Sequence, residues 1–119
     1  MALIDTGNRP TSCILSEAAG DRSRDNIFIV SGSGLVAPNT VLAVVDAAAK
    51  TYRPAAAADT AVAISLYGVD ATTANAPVAA LTNDAEVNIH TLVFAPSVNT
   101  PTLRGAKVTQ LRAAGIKAR

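Results

Sequence analysis

Tryptophan is absent from this chain of 119 residues, which holds only 2 Phe, 2 Tyr, 1 Met, 1 Cys and 1 His. Each scarcity excludes something. One cysteine, Cys13, cannot close a disulfide within the chain, so no oxidising compartment is implied. One histidine, His90, leaves a Ser-His-Asp triad a single possible centre, and no G-x-S-x-G elbow accompanies it. The opening M-A-L-I-D-T-G-N-R-P lacks the basic start and apolar run of a signal peptide. No uninterrupted apolar stretch approaches transmembrane length, and no N-x-S/T acceptor occurs. The protein is therefore expected in the cytoplasm where it is made.

What is present is small and aliphatic. Hydrophobic residues make up 50%, most of them alanine and valine. A chain of this length forms one domain and buries ~60 to ~70% of its unfolded surface. Alanine contributes little area per residue, and aromatic side chains usually carry much of core energetics. Such a core often needs help, most commonly from self-association.

The net charge of +1 gives no whole-chain field that would draw nucleic acid or a membrane. Its distribution is uneven. Residues 1–26 hold three basic and four acidic groups, 27–100 two and five, and 101–119 five and none. The basic tail lacks aromatic residues for stacking on bases, so it reads as helix C-terminal charge and solubility.

The segment Met1 to Asn26 is polar and broken by Gly7, Pro10 and Gly20. It reads as a mobile arm, 1–26, preceding one domain over 27–119. Within it Ile14-Leu15, followed by Ser16-Glu17, forms an apolar hook of the kind that orders on a partner's sheet edge or groove. Ile27 to Val30 is a continuous apolar strand, expected to be covered on both faces. Ser31-Gly32-Ser33-Gly34 is a turn; no G-K-S/T follows, which argues against a phosphate loop. Pro38-Asn39 turns the chain into a strand over Thr40 to Val45. A hairpin-like excursion through Asp46 to Lys50 then packs Tyr52 back, and Ala55 to Asp59 is an alanine loop.

Val62, Ile64 and Leu66 alternate with small or polar neighbours, the pattern of a half-buried strand over Thr60 to Tyr67. Asp70 to Thr73 reads as a polar bend. Val78 to Leu81 is a strand closed by the turn formers Thr82-Asn83-Asp84. Ala85 to Val87 is a strand stub, and Ile89, Leu92 and Val93 recur at helical spacing for one turn. Thr100-Pro101 opens a helix as N-cap and first residue. Leu103, Ala106, Leu111 and Ala114 form its apolar face with Val108 beside it, Gly115 stops it, and Ile116 reaches back to the core.

Catalytic groupings fail on spacing. A thiol-imidazole pair of Cys13 with His90 would put the nucleophile on the arm. Glu86 and His90, four apart, offer two ligands where a zinc site needs more. Asp84 with Glu86 beside a turn fits turn and cap chemistry better than acid/base work. No cofactor, metal or catalytic residue is assigned, and the chain is not expected to be an enzyme.

Six stretches in order carry a likeness: S-E-A-A-G-D-R-S-R-D (Ser16 to Asp25), V-A-P-N-T-V-L (Val36 to Leu42), T-A-V-A-I-S-L (Thr60 to Leu66), D-A-T (Asp70 to Thr72), T-N-D-A-E-V-N with L-V-F (Thr82 to Phe94), and L-R-A-A-G-I-K (Leu111 to Lys117). With them the chain resembles the head decoration protein family of tailed bacteriophages, to which the lambda capsid-stabilising protein belongs. It departs from the family at Pro38-Asn39, where relatives often carry glycine, and at Phe94, where relatives frequently have Trp.

The resemblance implies a mainly β fold, a β-clip or small partly open barrel, with one or two short α-helices and a disordered N-terminal arm. It implies a homotrimer on the outside of the expanded head at threefold and quasi-threefold positions, with the major capsid protein as partner. No nucleic acid or membrane partner is implied. Its location would be the outer surface of the virion head, after assembly in the host cytoplasm. The segment matching the family's capsid-binding arm holds Ile14, Leu15, Ser16, Glu17, Ser23, Arg24 and Asp25. The alternatives are a trimeric structural or adaptor protein of another virion part, and, last, an enzyme or nucleic-acid binder using the basic C-terminal helix.

Overall fold

A computed structural model describes residues 11, 13–18 and 23–119. The chain runs β1 (Ile14–Glu17), β2 (Arg24–Ile29), β3 (Gly34–Val36), β4 (Val41–Asp46), β5 (Thr51–Pro54), β6 (Ala63–Ser65), β7 (Val69–Ala71), β8 (Ala76–Leu81) and β9 (Ala85–Val87). A 3₁₀ turn at Ile89–Thr91, the helix α1 (Pro101–Ala113) and β10 (Ile116–Ala118) complete it. The fold is mainly β, as expected, and its centre is a closed barrel in the order β2-β5-β4-β6-β8. Two smaller sheets flank the barrel. One is β1-β9-β10, and the other is a two-stranded ribbon of β3 and β7.

Small residues suit this barrel, because a five-stranded closure leaves far less interior than the eight-stranded barrels that side chains just fill. Ile27, Ile29, Leu42, Ala63, Val78 and Ala80 are buried together as one cluster. The expected alanine-rich core is thus a requirement of diameter. A second cluster lies outside the barrel wall. There Val41, Ile64 and Leu81 meet Cys13, Val87, Leu111 and Ile116, drawn from β9, α1, β10 and the leading segment.

Two strand expectations exchange places. In β2, read as covered on both faces, Ile27 and Ile29 are fully buried while Phe28 between them is 43% exposed, so only the inner face is closed. In β6, read as half-buried, Ala63, Ile64 and Ser65 are all buried. Ala63 joins the inner cluster and Ile64 the outer one, so this strand is the partition between the cores.

Turn chemistry follows the sequence closely. Asn39 and Asp84 both adopt positive φ, 67° and 45°, conformations that Asn and Asp tolerate better than most residues. Asp46 Oδ1 accepts from the backbone N–H of Ala48 (3.0 Å) and Ala49 (3.3 Å), which closes the β4–β5 hairpin. The β3–β7 ribbon was not expected from a Gly-Ser turn and a polar bend.

In α1, Thr100 Oγ1 accepts from Leu103 N–H and Pro101 is the first helical residue, as expected. The buried face differs. Leu111 is buried, but the other fully buried helical residue is Lys107, while Ala106 is exposed. The Lys107 ammonium donates to the carbonyls of Ala57 and Asp59, and Gln110 Oε1 accepts from Ala61 N–H at 2.8 Å. The alanine loop and the residues just after it offer three backbone groups to the helix, and the helix answers them with polar side chains. Burying a lysine this way is tolerable because its charge is hydrogen-bonded and its stem packs as hydrocarbon.

Candidate functional site

The leading segment is tied to the body by its backbone. Thr11 N–H donates to Leu66 C=O (3.1 Å), and Asn88 N–H donates to Cys13 C=O (2.7 Å). β1 then pairs antiparallel with β9, Ile14 opposite Val87 and Glu17 opposite Ala85, with an irregularity between Ile14 and Ser16. β9 is the middle strand, because β10 pairs with its other side in parallel. The far edge of β1 is unpaired among the described strands.

The seven predicted residues divide. Ile14 is half-buried against the outer core, whereas Leu15 is 53% exposed on the edge strand. Beside them Cys13 is fully buried, a packing role that neither its solitary thiol nor a pairing with His90 suggests. Burial pushes its thiol up to about 11, so it stays protonated and behaves as a small hydrophobe. Its position one residue before the Ile14-Leu15 pair was the available signal.

Ser16, Glu17, Ser23 and Arg24 are brought together with the β8–β9 turn. Ser23 is buried; its hydroxyl accepts from Ala18 N–H and donates to Asp84 C=O, both at 2.8 Å, while Thr82 N–H donates to Ser23 C=O at 2.9 Å. Arg24 Nε and Nη2 each donate to a separate Glu17 carboxylate oxygen at 2.9 Å. This bidentate hydrogen bonding holds the Glu17 carboxyl below the ordinary carboxylate range. Ser16 Oγ donates to Glu86 Oε2 (3.2 Å), and Arg119 Nη2 donates to Glu86 Oε1 (2.9 Å), so Glu86 in β9 links β1 to the residue that follows β10. Asp25 stands apart, paired with Lys50 at 3.2 Å.

The segment read as an arm thus contains both β1 and the first residues of β2; its residues 1–10, 12 and 19–22 lie outside the described residues. Glu86 and His90 do not share a helix face, since Glu86 is in β9 and exposed His90 is in the 3₁₀ turn. Among the described residues no group of three or more His, Cys, Asp or Glu could hold a metal, and no helix is long and apolar enough to cross a membrane. The basic tail is partly spent internally, with Lys107 buried and Arg119 on Glu86.

What this arrangement presents is an edge strand and a set of polar clips. Residues 3–116 match the profile of the family described as bacteriophage lambda head decoration protein D. The chain belongs to that family. The match runs from the leading segment through β10's first residue, so it takes in the barrel, both flanking sheets and the helix. No curated protein and no solved structure matches the chain. As a member of a head decoration family it is a structural component of the phage virion.

Proposed function

We propose that this protein is a capsid cement: a homotrimer that binds the outside of the expanded icosahedral head at threefold and quasi-threefold sites and holds neighbouring capsomers together. The observation that carries the reading is the family match over residues 3–116. A ligand that binds only the assembled, expanded lattice stabilises it by its own binding free energy. Three leading segments presented at once convert weak contacts into firm attachment through effective concentration. Pressure from packaged DNA drives capsomers apart, and bridging their junctions opposes it.

The capsid-binding arm is residues 1–26. Ile14 and Leu15 supply its apolar contacts, Ser16, Glu17, Arg24 and Asp25 supply polar and main-chain ones, and the buried Ser23 ties the arm to the β8–β9 turn. The exposed Leu15 and the open edge of β1 support this assignment, because an unpaired strand edge is a template for another chain. The whole virion surface face is reached from the host cytoplasm, where the subunits meet expanded heads. No enzyme activity, cofactor, direct nucleic-acid contact or membrane contact belongs to this function.

Removing Met1 to Asp25 outright would also remove the buried Cys13 and the start of β2. The cleaner test is Leu15→Asp, which alters an exposed side chain. It is expected to leave the far-UV spectrum unchanged and to abolish co-sedimentation with expanded heads. Binding as tight as that of the unaltered chain would refute the arm's role. If the unaltered chain ignores heads, the cement reading itself fails.

A further inference from the structure

The β3–β7 ribbon exposes an apolar and an acidic group side by side. Leu35 and Asp70 are register partners, so their side chains share one face of the ribbon. Leu35 is 83% exposed, the most exposed large hydrophobic residue among those described. Nothing in the ribbon's own hydrogen bonding needs that leucine. Asp70 Oδ1 takes both bonds from Thr72, and no described residue forms an ion pair with Asp70.

A groove of opposite character lies nearby. Ile89, Leu92 and Phe94 give it an apolar lining, and His90 and Arg104 give it its polar groups. Arg104 lies over the Phe94 ring at 5.8 Å and has no carboxylate partner among the described residues. The groove is therefore apolar with a cationic rim, and the ribbon is apolar with an anionic neighbour. Leu35 and Phe94 also line a common depression, so ribbon and groove adjoin at one edge of the molecule.

We infer that the occupant of this groove is a second copy of the same chain. The Leu35–Asp70 face of one ribbon docks on the Ile89–Leu92–Phe94 groove of the next copy, with Asp70 meeting Arg104. The inference rests on the homotrimer reading and names its contact surface. Charge complementarity selects the occupant: Asp70 on the ribbon and Arg104 on the groove rim each lack an ion-pair partner among the described residues, so each surface supplies the charge that the other lacks. Such a contact is heterologous, using different surfaces on the two partners, and it closes into a ring when the rotation permits. Adjacent donor and acceptor surfaces are what three copies around one axis require.

The test is charge reversal in the full chain, with mass read by sedimentation equilibrium over a range of concentrations. The unaltered chain is expected to be a trimer. Asp70→Arg and Arg104→Glu should each weaken the trimer by about tenfold or more in dissociation constant, and the double variant should recover most of the loss. Leu35→Asp should weaken it as well, without altering the fold, since that side chain is solvent-exposed in the monomer. A trimer indifferent to all three single changes overturns this interface while leaving the cement reading intact. A chain monomeric at every concentration overturns both the interface and the trimer. A trimer that obeys the reversals but ignores expanded heads upholds the interface and sinks the cement reading.

Discussion

The two hydrophobic cores are built from the same kinds of residue by different routes. The inner core, Ile27, Ile29, Leu42, Ala63, Val78 and Ala80, lies within one stretch of chain and is closed by barrel hydrogen bonding. The outer core gathers Cys13 from one end, Leu111 and Ile116 from the other, and Val41, Ile64 and Leu81 from the barrel wall between. The inner core makes the barrel, and the outer core fastens the segment at Cys13 and the helix with β10 to it. β6 serves both at once, which is why it is buried on each face. The difference teaches that the proposed capsid-binding segment is attached to the less self-sufficient half of the molecule.

That contrast can be broken first at its centre. Leu42→Ala should cost about 4 kcal/mol, since a filled small barrel cannot collapse around the cavity. Leu111→Ala should cost about 3 kcal/mol by the same mechanism at the outer core. Urea titration measures both, and amide exchange sharpens the comparison. The Leu111 variant should release β9 and β10 amides while β2 and β8 stay protected, whereas the Leu42 variant should release all of them together. Uniform release in both would mean that the two cores unfold as one.

Next in size is the helix's polar attachment. Lys107→Met keeps the stem but strands the carbonyls of Ala57 and Asp59, at a cost of about 2 kcal/mol. A thermal shift no larger than that of an exposed Lys117→Met control would deny Lys107 its structural role. Gly115→Ala should cost about 1.5 kcal/mol, because Gly115 sits at φ +95° and an added Cβ would lie 2.5 Å from Asn83 Oδ1. That position joins helix end to β8–β9 turn, so its loss should also appear in β9 exchange.

The smallest effect concerns the clip between β1 and β2. Glu17 has its folded-state affinity for protons lowered by Arg24, so its contribution is present above the ordinary carboxylate range and lost as pH falls through it. The pair is partly exposed, which limits it to under about 1 kcal/mol. Glu17→Gln should therefore be slightly less stable than the unaltered chain at pH 7, and the gap should close below about pH 4. A gap that widens in acid would reverse the assigned sign.

Local chemistry was legible wherever a residue's own conformational preference decided the outcome. Thr100 and Pro101 start the helix, Gly115 ends it, and Asn39, Asp46 and Asp84 bend the chain where their side chains or φ values permit. The candidate segment was read on the family's pattern, and the buried residue that fastens it to the body, Cys13, was not singled out. Cys13 carries no periodic signal; its carbonyl is bonded by Asn88 and its side chain joins a cluster that includes Val87 and Leu111, residues far along the chain. The exchange between β2 and β6 has a similar cause. Apolar pattern reports what a strand is able to bury, while Phe28 is exposed and Ala63 buried according to what happens to pack on each wall.

The sequence by itself determined a mainly β chain of small aliphatic residues, its turns, its one capped helix, and the family to which it belongs. Those follow from backbone preferences and side-chain size, which act within a few residues, and from the order of matched stretches. Tertiary structure alone decided that the barrel closes, that Cys13 shares a second core with the helix and β10, and that a lysine inside the helix answers the carbonyls of a distant loop. It also set Leu35 and Asp70 beside each other across two strands. Each of those depends on groups many residues apart meeting in space, a quantity that no local pattern encodes.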